Sequence, residues 1–319
     1  NITEKAKRSP KKVVFAEADH YKILKAAQVA FDEGIAIPIL LGKRDKIFKL
    51  IDEYKLDFGS CDIIDPREET QEQRRYEFAD ILFEKRKRRG LTLYECRKMM
   101  RERNYFASAM VETGQADVMI SGLTRNYKDT IRPALQVIGV DDGVNKIAGM
   151  YILITKEGPY FFADTTVNLN PSVDEIVDIT LLVNKMIKRF KIQPKVAMLS
   201  YSNFGSTEGE DAVKMREAVQ KLHKDYPQII VDGEVQANIA LNKEMIKDYF
   251  PFSNLSNKKP NTLIFPNLSA GNIAYKLVKE MNQLEAVGPI LLGMKKPCHI
   301  LQIGSSVREI LNMITVAVV

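Results

Sequence analysis

The sequence predicts an α/β fold in which mostly parallel strands alternate with covering helices, and three observations carry that prediction. Short apolar, β-branched runs alternate with longer segments of helical period. The chain has 319 residues, enough for two ordinary domains or one large α/β unit. Glycine and charge interrupt the strand-helix rhythm near residues 139–145 and 286–288 and mark the expected boundaries.

The elements follow in order. A charged, polar lead precedes a first strand around Val13-Val14-Phe15; with Asn1 in place of an initiator methionine it reads either as a linker, which would make the chain part of a longer polypeptide, or as a trimmed or disordered terminus. A helix over 21–33 and a strand at Pro38-Ile39-Leu40-Leu41 continue the rhythm, followed by a strand at Asp62-Ile63-Ile64 and one long helical stretch over 69–113. Val118-Met119-Ile120 is the next strand, with Gly122 and Arg125 in the loop after it. Lys156-Glu157-Gly158-Pro159 is a turn signal between extended runs at 146–155 and 160–163, which makes a hairpin. Helices over 173–190 and 209–222 lead to strands at 196–199 and 229–231. After a strand at Thr262-Leu263-Ile264-Phe265 and a further helix, Pro289-Ile290-Leu291-Leu292 returns to the apolar character of the first half.

Composition narrows the partners. A hydrophobic share of 45% and a charged share of 28% are those of a globular chain. The net charge of +6 is concentrated at 85–89 and in the lead, without an aromatic RNA-binding motif or zinc spacing, so a small anionic ligand is expected and nucleic acid is not. Cys61, Cys96 and Cys298 form no CxxC pair and read as free thiols of a reducing, cytoplasmic compartment. No apolar run approaches the roughly 18 residues of a membrane span, so no membrane partner is expected.

Four loops after apolar strands carry the candidate chemistry: 121–125, 200–206, 266–272 and 304–306. In open α/β sheets ligands bind beyond the carboxyl ends of strands, where glycine admits an anion and hydroxyls and helix amides donate to it. This selects Ser121, Arg125, Ser202, Asn203, Ser206, Asn267, Asn272, Ser305 and Ser306 as ligand-binding residues; the bland alternative for a serine such as Ser206, Ser269 or Ser305 is a helix cap. In Asp129-Thr130-Ile131-Arg132-Pro133, Thr130 and Arg132 join the set, the guanidinium forking onto an anion or else pairing with Asp129. His20, His223 and His299 have no metal-ligand spacing, and neither GxGxxG nor a P-loop lysine is present, so no metal or nucleotide cofactor is expected in this chain.

Five segments together resemble the phosphate acetyltransferase family: residues 34–42, DTIRPALQ at 129–136, FADTTVNLNP at 162–171, LIFPNLSAGNIAYK at 263–276 and VGPILLGMKKP at 287–297, with VAMLSYS at 196–202 in support. The resemblance implies two three-layer α/β/α domains of isocitrate/isopropylmalate dehydrogenase-like fold, the second, 141–287, inserted in the first, 1–140 and 288–319. It further implies a homodimer, a cleft for coenzyme A and an acyl phosphate, and anion-binding roles for Arg86 and Arg132.

The family's final block, of the form SRGxSxxDI, departs from that pattern here. Gln302 stands for its serine, Ile303 for its arginine and Glu309 for its aspartate. Isoleucine donates no hydrogen bond, forfeiting about 1.5–3 kcal/mol against an anion, and misplacing a general base forgoes on the order of 10²–10⁴ in rate. No residue is therefore expected to be catalytic. Selective loss of this kind, with SGLTRNY at 121–127, resembles the C-terminal module of bacterial NADP-dependent malic enzymes. That resemblance implies a degenerate regulatory module that dimerises and binds acetyl-CoA or a related acyl-CoA. NADP and a divalent metal would then belong only to an attached malic enzyme module. The alternatives are an active transferase making acetyl phosphate and CoA from acetyl-CoA and phosphate, and a purely structural dimerisation module with an empty cleft.

Overall fold

The computed structural model describes residues 2–59 and 61–319; Asn1, and with it the question of how the chain begins, lies outside them. The chain divides into two compact units, one holding the chain up to Asp142 together with Met294–Val319, the other Gly143–Gly293.

The first unit is built on strands β1 (Lys11–Phe15), β2 (Ala36–Leu41), β3 (Asp62–Ile64), β4 (Val118–Ser121) and, from the end of the chain, β11 (Cys298–Ile300). They form one sheet in the order β11-β4-β1-β2-β3, with every pairing parallel. Its helices are α1 (Ile2–Arg8), α2 (Tyr21–Asp32), α3 (Arg44–Glu53), α4 (Glu72–Arg86), α5 (Leu93–Met99), α6 (Arg103–Glu112), α7 (Tyr127–Val137) and α13 (Val307–Ala317). Val14, Ile39, Leu41 and Met119 share a core with Phe78, Leu82 and Phe106. Val13 and Phe15 alternate to the opposite side of the strand and are also fully buried, so both faces of the sheet are covered.

Two expectations change here. The polar lead is not an extended linker, because its residues form α1, which buries Ala6 and packs on α13. The single helical stretch over 69–113 is broken twice: Gly90 takes a left-handed φ of 86° and Thr92 opens α5 in a capping box with Glu95. Glu102 then caps α6 by accepting from the Asn104 amide. Helical period continues through such breaks, which is why the run reads as one helix.

The second unit holds β5 (Ala148–Thr155), β6 (Gly158–Ala163), β7 (Val196–Leu199), β8 (Val231–Val235), β9 (Thr262–Ile264) and β10 (Glu285–Leu292). Its helices are α8 (Val173–Arg189), α9 (Glu210–Asp225), α10 (Ala237–Leu241), α11 (Lys243–Tyr249) and α12 (Leu268–Met281). The sheet order is β10-β5-β6-β9-β7-β8. The expected hairpin is present as antiparallel β5 and β6, and β6, β9, β7 and β8 pair in parallel. The sheet is therefore mixed. β10 pairs antiparallel with β5 from Glu285↔Ile154 to Leu292↔Ala148, so residues 288–293 lie with this unit and not with the first, as a boundary at 288 would require. An apolar strand buried in either sheet reads alike; only its hydrogen-bonding partner assigns it. Likewise β8 starts at Val231, with Ile230 contributing its carbonyl to the Val196 amide from just outside.

Candidate functional site

In the first unit β4 and β11 are neighbours and run parallel, so the loops that follow them, 121–125 and 302–306, emerge side by side at one edge of the sheet. The first loop is already occupied by a carboxylate of the protein. Glu17, two residues past β1 and 2% exposed, accepts the amides of Gly122 at 2.6 Å, Leu123 at 2.7 Å and Thr124 at 3.0 Å, and also the Thr124 hydroxyl. Gly122 makes the turn possible: its φ is +103°, and a Cβ there would stand 2.6 Å from Ile300 Cγ2. Ser121 is fully buried and donates to Asn104 Oδ1 at 2.7 Å. Successive amides of this kind form an anion-binding nest, and the anion they hold is Glu17.

Ser121 and Thr130 are thus corrected from ligand groups to structural ones. Thr130 is buried within α7 and returns its hydroxyl to the Asn126 carbonyl at 3.0 Å. Arg125 forms an ion pair with Glu102 and lines a small cavity of about 70 Å³ with Asp19, Asp65, Arg67 and Arg103, where charges of both signs meet. Its guanidinium is paired within the chain.

Arg86 and Arg132 come together. Both line an open groove of about 640 Å³ that also receives Arg89, Lys128, Ile131, Leu135 and Val140. Arg86, at the end of α4, donates through Nε to the Gln136 carbonyl at 3.1 Å and through Nη2 to the Leu135 carbonyl at 2.6 Å. Burial, and then the neighbouring Arg89 charge, pull its pKa below the usual arginine value. Arg132 is exposed on α7 and has no hydrogen bond or salt bridge among the described residues. Asp129, its possible partner in the sequence, accepts from Asn126 instead. Burial raises the Tyr105 pKa and the nearby Arg132 charge opposes that rise, while the Tyr105 hydroxyl donates to Gln136 Oε1 at 2.5 Å. Cations over apolar side chains make this groove suited to an anion with an apolar portion.

The last loop carries the block that departs from the family. Ile303 is 70% exposed, and Gln302 is exposed beside it. Ser305 donates its hydroxyl to the Gln302 carbonyl at 2.8 Å. Ser306 caps α13, and Glu309 Oε2 accepts the Ser306 amide at 2.8 Å and its hydroxyl at 3.1 Å. The Glu309 carboxylate is held in a capping box with Ser306, so the cap of this helix is Ser306 and not Ser305, for which a cap was the alternative.

In the second unit β7 and β9 are parallel neighbours, which sets the loops at 200–206 and 266–272 together. The first again closes on a carboxylate. Glu234, fully buried in β8, accepts the Ser202 hydroxyl at 2.9 Å and the Gly205 amide at 2.8 Å through Oε1. Ser206 Oγ accepts the Asn203 amide at 3.0 Å, and Asn203 Oδ1 accepts the Gln236 amide at 2.8 Å. Ser202, Asn203 and Ser206 therefore brace the loop. Asn267 caps α12 through the Ala270 amide and donates to Asp211 at 3.0 Å, lining an open pocket of about 480 Å³ with Tyr201, Glu210 and Ser269. Asn272 donates to the Thr165 carbonyl at 3.0 Å.

Glu17 and Glu234 are the determinants that the sequence reading passes over. Each acid follows an apolar run by two or three residues, Val13-Val14-Phe15 before Glu17 and Ile229-Ile230-Val231 before Glu234, and a carboxylate drawn inside there requires donors, which is the signal that could have found it. Among the described residues no group of three or more His, Cys, Asp and Glu is placed to hold a metal ion, and no helix is long and apolar enough to cross a membrane.

Comparison with known proteins agrees with this architecture. The family model of the phosphate acetyl/butaryl transferases matches residues 1–318. The phosphate acetyltransferase of Clostridium acetobutylicum is 35% identical over all of this chain and 97% of its own length. The NADP-dependent malic enzyme of Haemophilus influenzae is 37% identical over all of this chain, which spans 42% of that protein. A solved phosphotransacetylase from Streptococcus pyogenes superposes with a TM-score of 0.91 at 32% identity, covering 99% of this chain and 95% of the other. The chain belongs to the phosphate acetyl/butaryl transferase family.

Proposed function

We propose that this chain is a catalytically degenerate, regulatory member of its family that dimerises and binds acetyl-CoA or a related acyl-CoA, acting as the transferase-like module of an NADP-dependent malic enzyme. One observation carries the reading: the block 302–309 offers an exposed Gln302 and Ile303 where the family pattern has serine and arginine, and its only carboxylate, Glu309, is engaged by Ser306. Transfer needs a base and cations aimed at the reacting oxygens. Binding needs less. The groove with Arg86 and Arg132 keeps cations for phosphate and the apolar Ile131, Leu135 and Val140 for an uncharged portion.

Malic enzymes that contain a region like this chain support the context, and NADP and a divalent metal would act in the attached catalytic module. Regulation requires the acyl-CoA to bind two states of the assembly unequally, a coupling typically of about 1–3 kcal/mol. The second reading, an active phosphate acetyltransferase, is favoured by relatives of that activity matched along nearly their full length. Calorimetry of this chain with acetyl-CoA tests the proposal: saturable binding is expected, and no heat at millimolar ligand would overturn it.

A further inference from the structure

The first unit has a further pocket where its strands begin, at the end of the sheet opposite the loops that follow β4 and β11. The sheet is parallel, so Lys12 in β1, Ile37 and Pro38 in β2, and Cys61 and Asp62 at the start of β3 gather at one end and line a recess of about 310 Å³. Pairing of β2 with β3 begins at Ile39↔Asp62, which leaves Ile37 and Pro38 without a strand neighbour on that side among the described residues. Ile37 is accordingly 44% exposed. Arg74 of α4, Met110 of α6 and Gln115, just before β4, complete the lining.

Three kinds of group meet there. Ile37, Ile39, Ile64 and Met110 make an apolar wall. Lys12 donates its backbone amide to Asp117 at 2.8 Å, but its exposed ammonium takes no hydrogen bond or salt bridge among the described residues. Arg74 donates to Gln71 at 3.1 Å and lies over the Phe106 ring, again with no carboxylate partner among the described residues. Asp62 is the single carboxylate of the lining and is exposed to water, so two cations outweigh one screened anion. Finally, Gln115 Oε1 is buried and accepts no hydrogen bond. A buried acceptor is seldom left without a donor unless water or a ligand supplies it.

We propose that this recess is a binding site for a small hydroxy-carboxylic acid with an apolar body, its carboxylate held by Lys12 and Arg74, its body on the isoleucine wall and its hydroxyl donating to Gln115. One molecule of that class supplies the counterpart of every unmatched group in the lining, and the volume is at the lower end of the roughly 300–1,000 Å³ of ligand pockets. The site is separate from the groove of Arg86 and Arg132. Arg74 and Arg86 stand twelve residues apart on α4, about 18 Å along its axis. Cys61 reports on occupancy. Its thiol donates to the Pro38 carbonyl at 3.4 Å, and burial pushes its pKa up to about 11, so it is alkylated slowly and at alkaline pH. Cys96 and Cys298 are fully buried, which confines the reaction of the folded chain to Cys61.

The test compares three probes on the full chain: phenyllactate, phenylpropanoate, which lacks the hydroxyl, and phenylethylamine, an apolar cation. Binding is read by calorimetry and by the rate of Cys61 alkylation, located by mass spectrometry. Phenyllactate is expected to slow the alkylation saturably, with half the effect near about 1 mM for a ligand of its size. Phenylpropanoate should bind about fivefold more weakly for want of one hydrogen bond, and the amine should give no protection. Lys12→Met should weaken both acids about fivefold or more, and Gln115→Met should erase the difference between them. Gln115 Oε1 has no partner to lose, so Gln115→Met should leave Tm unchanged or raised, and a fall in Tm would show that the group serves the fold instead. No protection by any probe at tens of millimolar, or equal protection by the amine, overturns the site. Equal binding of the two acids to the parent overturns the role given to Gln115, because water then serves it. Protection of Cys61 by saturating acetyl-CoA would make the recess part of the coenzyme site and overturn its independence.

Discussion

Replacing Glu17 by Gln tests whether the first loop is a ligand site or a closed structural unit. Glu17 Oε2 accepts the Gly122 amide at 2.6 Å and the Leu123 amide at 2.7 Å, and Oε1 accepts the amide and hydroxyl of Thr124. Glutamine preserves the shape but keeps one acceptor and turns a donor toward the others, so two bonds to a charged group are lost. At about 1.5–3 kcal/mol each, offset by relief from burying a charge, the net cost is about 3 kcal/mol. For a unit of this size that lowers Tm by roughly 6–12 °C. Denaturant unfolding followed by circular dichroism measures it. The larger deletion Glu17→Ala empties the nest, and added acetate should raise the Tm of that variant while leaving the parent unchanged. A loss under about 1 kcal/mol, or equal response of parent and variant to acetate, would refute the claim that the protein's own carboxylate fills the nest.

Three further outcomes follow from the structure. Arg132→Ala should weaken acetyl-CoA binding tenfold or more by calorimetry while changing stability by less than about 0.5 kcal/mol, since Arg132 is exposed and unbonded; unchanged affinity with a large drop in Tm would make the residue structural. Combining Gln302→Ser, Ile303→Arg and Glu309→Asp should raise acetyl phosphate formation by about tenfold or more over the parent, and no gain would mean that the deficit lies outside this block. Burial depresses the His299 pKa to about 4 from an ordinary 6.5, so the fold favours its neutral form. Its stabilising contribution is whole above pH 6.5 and is lost as pH falls toward 4, at up to about 1.4 kcal/mol per unit. Denaturation of the parent and His299→Gln between pH 7 and 4.5 should therefore show the steeper loss in the parent; parallel curves would contradict the burial effect.

The parts of the fold legible in the sequence are those where local pattern and tertiary environment agree. Val13-Val14-Phe15 and Val118-Met119-Ile120 read as buried parallel strands and are adjacent in the sheet. The turn at 156–159 joins two strands whose alternation survives in the structure. What escapes the sequence is decided by partners distant along the chain. β10 has the composition of the first unit but the hydrogen bonds of the second. The loops at 121–125 and 200–206 have the glycine and hydroxyl content of phosphate sites, yet Glu17 and Glu234, 105 residues before Gly122 and 29 after Gly205, supply the anion. Arg86 and Arg132 show the reverse case. Neither arginine is diagnostic alone, and the packing of α4 on α7 brings both to one groove.

The separation of binding from catalysis is the centre of the account, and turnover of the purified chain with acetyl-CoA and phosphate, followed by thioester absorbance, tests it most directly. With Ile303 in place of a guanidinium and Glu309 held by Ser306, the rate should fall at least about a thousandfold below the ordinary enzyme range of roughly 1–10³ per second. A rate within that range would contradict it and make the chain a working acyltransferase.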